Sequence, residues 1–146
     1  MAYHFRFAAV LNYRRDLEEL FQQKLVMAQE RWASLRDRLV ELEDARQAAG
    51  IDLEERKRRP ISAPLYALLV EGLAHRDRDI VKQRQDLATQ HQVVTGKRRE
   101  LLIKMQERQV MEKTRERDYE KYLAQERNSE QKAMDEQTVL RFKHEV

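Results

Sequence analysis

Five apolar residues, Leu73, Ile80, Leu87, Val94 and Leu101, recur at a strict interval of seven. A second stripe, Phe21, Leu25, Ala28, Trp32, Leu35, Leu39 and Leu42, alternates steps of four and three. Both spacings return to one face of an α-helix and mark a coiled-coil seam, not the alternation of a strand. Upstream, Phe7, Val10 and Leu17 continue the first stripe with a slip of phase near Phe21 that resembles a stutter. Downstream, Ala49 and Leu53 keep step across Gly50, an interior glycine that costs about 1 kcal/mol.

The one strong break between the stripes is Pro60 and Pro64, which bracket Ile61-Ser62-Ala63. A proline pushes its predecessor out of the helical region. Ser62 can then cap a new helix, with Pro64 in its first turn. Folding the chain back at Ile61 sets Leu42 level with Ile80, Leu35 with Leu87, Ala28 with Val94 and Phe21 with Leu101. Ala49 then meets Leu73, and Leu53 meets Leu69. Two stripes read independently thus come into register about the proline break. The expected fold is all-α: a long antiparallel two-helix coiled-coil hairpin with an overhanging C-terminal helix. Residues 1–146 form a single coiled-coil domain in this reading. Helix 1 spans about 5–58, the turn about 59–63, helix 2 about 64–136, and 137–146 is a frayed tail.

The second seam is half polar. Arg76, Gln83, Gln90 and Lys97 occupy its alternate positions, opposite the neighbourhood of Arg46, Leu39, Trp32 and Leu25. Polar seam residues fix register and lower stability, so partner binding would complete the stability of such a hairpin. Past Met105 the repeat thins, leaving an overhang of about thirty residues, roughly 45 Å at 1.5 Å per residue. Tyr119, Tyr122, Leu123, Val139, Leu140 and Phe142 stand there among many charges. This stretch reads either as a frayed polar terminus or as a helix whose apolar side chains need a second protein.

Charged residues make up 38% of the chain and aromatics 7%, a mixture that suits long helices and not a packed globule. Cysteine is absent, which excludes disulfides and thiolate chemistry. The start, Met1 to Arg6, lacks the apolar run of a signal peptide, and Leu65 to Val70 is too short to span a bilayer. A cytoplasmic protein with no direct membrane insertion is the expectation. The net charge of +3 invites a nucleic-acid reading, but residues 1–49 balance eight basic against eight acidic side chains. The one dense basic run, Arg56 to Arg59, adjoins Glu54 and Glu55. Phosphate binding needs clustered positive charge, so no nucleic-acid partner is expected. Gly50, Gly72 and Gly96 are isolated, and His4, His75, His91 and His144 show no metal-ligand spacing. No catalytic residue, metal or cofactor is assigned, and the chain is read as a non-enzymatic binding protein. Trp32, the one tryptophan, is simplest as a seam residue.

The ends and the second-helix start carry a resemblance. Phe5-Arg6-Phe7 is followed by Val10-Leu11-Asn12-Tyr13-Arg14; Tyr66 leads through Leu73 to Ile80-Val81-Lys82-Gln83; and Glu130-Gln131-Lys132-Ala133-Met134-Asp135-Glu136 precedes Arg141-Phe142. In order, spacing and length these resemble the FliJ family, the coiled-coil component of the bacterial flagellar protein-export apparatus. The resemblance implies a central-stalk-like coiled coil, monomeric alone. It would bind the ring of the export ATPase and promote its assembly and activity. It would also contact the export gate membrane protein and the export chaperones, at the inner-membrane face. It further implies an ATPase-ring end at Phe5, Phe7, Val10, Leu11, Met105 and Met111, and a gate contact near Leu73, Ile80 and Gln83. Arg76 and Asp79 interrupt that second surface with charge. An equivalent stalk of a virulence type III secretion system, or a self-associating coiled-coil scaffold, are the alternatives.

Overall fold

A computed structural model describes residues 2–145. It is all-α, with helix α1 at Ala8–Arg56 and helix α2 at Ala63–Glu145. Between them, Arg58 N–H donates to Glu55 O (3.2 Å) and Arg59 N–H to Arg56 O (3.3 Å), tightening the end of α1 before Pro60 removes the next donor. Ser62 then caps α2: its Oγ accepts from Leu65 N–H at 3.4 Å and its carbonyl from Tyr66 N–H at 3.0 Å.

Three boundaries differ from those the sequence suggests. Helix α1 starts at Ala8 and not near residue 5, because residues 2–5 are non-helical and place Tyr3 against α2. The connection begins at Lys57, two residues earlier than expected. Helix α2 runs through the stretch read as a frayed tail, as far as Glu145, with Val146 outside the described residues. No glycine or proline follows Gly96 to interrupt it, and Lys143 and His144 in the last turn complement the negative end of the helix.

By packing, the chain divides into two units, residues 21–101 and residues 1–20 with 102–146. In the unit of residues 21–101 the helices run antiparallel, as the ion pairs Arg46–Asp77 (2.7 Å) and Glu43–Arg84 (3.1 Å) require. Its interior is a narrow strip. Ala28, Leu53, Ile80 and Val94 are buried, while Phe21, Leu25, Trp32, Leu35, Leu39, Leu42, Leu73, Leu87 and Leu101 are half-buried. Two polar side chains lie in the same strip. Gln83 Nε2 donates to Leu35 O at 2.9 Å, and the buried Gln90 donates from Nε2 to Ala28 O at 3.0 Å. A helical carbonyl points toward the residue four ahead. Gln83 therefore sits level with Leu39, and Gln90 level with Trp32. Among the described residues no buried side-chain polar atom lacks a partner.

The strip predicts a sharp contrast between neighbours. Ile80→Ala, at a side chain 7% exposed, is expected to cost about 2–4 kcal/mol. Val81→Ala, at one 53% exposed, should stay within about 0.5 kcal/mol of the parent. Thermal melting followed by circular dichroism checks both.

Candidate functional site

The unit of residues 1–20 and 102–146 holds the chain's N-terminal segment against α2 through four sets of groups. Tyr3 comes first. Its hydroxyl donates to Asp118 Oδ2 at 2.8 Å, and its ring lies edge-on to Tyr119 at 5.0 Å and tilted to Tyr122 at 5.2 Å. Tyr119 and Tyr122 are three apart on α2 and therefore share a face. Next, Phe5 is buried, edge-on to Phe7 at 5.9 Å, and Leu11 is the most enclosed of the described residues at 2% exposure. Arg14 Nη1 donates to the backbone oxygen of Glu107 at 2.8 Å. Finally, Arg108 bridges Glu18 on α1 and Glu112 on its own helix (2.8 Å), and Glu112 also receives Arg15 at 3.3 Å.

These surroundings shift three groups. Loss of water contact, then the hydrogen bond to Asp118 and its charge, raise the Tyr3 phenol above its ordinary value. Loss of water contact and then Glu126 do the same to Tyr122. The hydrogen bond to Glu18, against an opposing contribution from burial, raises the Arg108 guanidinium. Beside this cluster, Tyr3, Arg15, Glu112, Arg115, Glu116 and Tyr119 line an open groove of about 520 Å³.

The residues assigned to an ATPase-ring end fall into two groups here. Phe5 and Leu11 are interior, and Met105 and Met111 are half-buried. Phe7 (40% exposed) and Val10 (39%) present apolar surface outward. Of the residues assigned to a gate contact, Ile80 is buried, Leu73 is half-buried, and Gln83 spends its amide on Leu35 O. All three serve the strip between the helices, and the large exposed apolar side chains nearest them in sequence are Val70 and Val81. Tyr3 packs on Tyr119 and Tyr122, and Tyr119 keeps exposed surface beyond that contact. The sequence signal for that cluster was the pair of tyrosines three apart, but nothing local announced that Tyr3 would reach them.

From Arg127 to Glu145 every residue of α2 is exposed, including Met134, Val139, Leu140 and Phe142. Among the described residues no group of three or more histidines or carboxylates could hold a metal ion, and no helix is long and apolar enough to cross a membrane.

One family model, described as the flagellar FliJ protein, matches residues 3–146. No curated protein and no solved structure matches the chain.

The raised Tyr3 phenol has a signed consequence. Its folded-state pKa lies above the unfolded value near 10, so its contribution is complete below that pH and is lost as pH climbs through the folded value. In a phenolate absorbance titration, Tyr3→Phe is expected to remove one ionisation from the late part of the curve. Loss of an early ionisation instead would show that the Tyr3–Asp118 bond does not form in solution.

Proposed function

The chain belongs to the flagellar FliJ protein family and is a component of the flagellar protein-export apparatus, and on that premise we propose that it acts without catalysing a reaction, as a helical stalk for the export ATPase. In this reading it enters the ATPase ring and promotes ring assembly and hydrolysis. It also touches the export gate membrane protein and the export chaperones. The observation that carries the reading is the family match across residues 3–146 of a chain built from two antiparallel-packed helices. Two features support it. Arg15, Arg108, Glu18 and Glu112 tie the non-consecutive segments of one unit together, as a stalk under torque would require. Exposed Phe7 and Val10 give that unit apolar side chains that a ring could grip without unfolding it.

The test is the hydrolysis rate of the cognate export ATPase titrated with this protein. A saturable rise is expected. Phe7→Ala combined with Val10→Ala should shift its midpoint roughly tenfold at unchanged helicity, because both side chains are exposed. Phe5→Ala and Leu11→Ala are poor probes, since each would damage the interior first. A flat titration with folded protein would remove the stalk reading.

The fully exposed end of α2 gives a second expectation. Truncation after Arg127 should leave the melting midpoint of the remainder nearly unchanged, because no buried residue is lost. It should weaken capture of at least one export partner. Undiminished capture of ATPase, gate and chaperones by the truncated chain would show the segment to be idle.

A further inference from the structure

The connection between the helices combines a dense basic run with exposed apolar side chains. Residues 56–70 contain Arg56, Lys57, Arg58 and Arg59 and no acidic side chain. They also contain Ile61, Leu65, Tyr66, Leu68, Leu69 and Val70. All but Ile61 and Leu69 are exposed, with Leu68 at 65%. Arg56 and Lys57 make ion pairs along their own helix, with Asp52 at 3.0 Å and Glu54 at 3.2 Å. Arg58 and Arg59 are exposed and use only backbone groups in the turn. Lys57 Nζ also lies over the Tyr66 ring, 5.7 Å from its centroid, which brings the basic run and the apolar turn together.

We infer that this turn is an adsorption site for an anionic phospholipid surface. Two physical arguments select that occupant. The first is charge: Arg56 and Lys57 are balanced by Asp52 and Glu54, but Arg58 and Arg59 make no ion pair among the described residues, and at the convex turn they complement a layer of phosphate headgroups. The second is the distribution of apolar side chains. At 100° per residue, Leu65, Tyr66, Leu68 and Val70 spread over about 200° of the helix circumference. A groove on a protein would need them in a single stripe. A fluid interface accepts apolar side chains on several sides of a convex turn, with Tyr66 at the level of the headgroups. Pro60, Pro64 and the Ser62 cap hold the turn in one conformation, so little chain entropy opposes adsorption. The contact is peripheral, since the run from Leu65 to Val70 is far too short to span the bilayer.

The test is cosedimentation of the full chain with vesicles of phosphatidylcholine alone and of phosphatidylcholine mixed with phosphatidylglycerol. Binding is expected to the mixed vesicles only and to weaken as salt is raised. Arg58→Gln with Arg59→Gln should weaken it by about tenfold or more. Leu65→Ser with Leu68→Ser should weaken it further while helicity stays at the parent level, because both side chains are exposed. Equal binding to both vesicle types, or undiminished binding by both folded double variants, would overturn the inference. So would failure to bind either vesicle while polyglutamate is bound, which would assign the turn to an acidic protein. Stimulation of the ATPase is read separately, so failure of one proposal leaves the other standing.

Discussion

Two helices packed side by side hide from water only the strip along which they touch, because each covers a single stripe of the other. Among the described residues that leaves six buried apolar side chains, Phe5, Leu11, Ala28, Leu53, Ile80 and Val94, and many large ones in the open. A strip so thin has no room for an unpaired polar group, and none is present among the described residues. Gln83 and Gln90 resolve the problem by donating to backbone oxygens that already serve their own helix, since a carbonyl has two lone pairs. The seam glutamines are therefore bolts between helices as well as gaps in the apolar stripe. Sliding α2 by one turn would separate each amide from its acceptor, and this sets register more firmly than shape alone among interchangeable leucines and valines.

The two units solve the same problem with different chemistry. In residues 21–101 the strip is mainly aliphatic, with Phe21, Trp32 and the two glutamines among the leucines, and is flanked by exposed pairs such as Arg46–Asp77, which contribute little to stability. In residues 1–20 with 102–146 the aliphatic supply is poorer, and aromatic rings and charges take over. Phe5 and Leu11 form the enclosed part, Tyr3 closes it against Tyr119 and Tyr122, and Arg108 links Glu18 to Glu112. Arg108 and Glu18 are mostly shielded, unlike the exposed pairs of the other unit. Their alignment matters more here, because removing one partner would leave the other charge partly dehydrated.

The helical hairpin was legible in the sequence because period and punctuation agree. Leu73 to Leu101 repeat by seven, Phe21 to Leu42 by four and three, and Pro60, Ser62 and Pro64 supply one stop and one start. What was not legible falls where contacts are long-range or where no pattern exists. The placement of Tyr3 on Tyr119 joins residues more than a hundred positions apart, and no local rule reports such a pairing. The resemblance placed Phe5, Phe7, Val10 and Leu11 at one end. Periodicity could not say that Phe5 and Leu11 turn inward while Phe7 and Val10 turn out, because residues 2–5 are not helical and break the phase. Likewise Ile80 belongs to the seam by its interval of seven and to a candidate gate contact by resemblance. The structure places it inside the seam.

The end of α2 shows why absence of burial does not imply absence of helix. Starting a helix is unfavourable, because the first turn fixes several residues for one hydrogen bond, whereas each added residue returns a bond of its own. Residues 127–145 never face the starting cost, since they extend a helix already held by Tyr3, Arg14 and Glu18 further back. With Glu, Gln, Lys and Arg supplying nine of the nineteen residues and no glycine or proline, propagation alone carries the helix to Glu145. Such a segment opens at little cost, because all of its side chains are exposed and its bonds compete with water. A partner packing on it would not have to build the helix, only to hold it closed. That division, one unit held by its own aromatics and ion pairs and one extension held by propagation, lets a chain with little interior present a long, ordered surface.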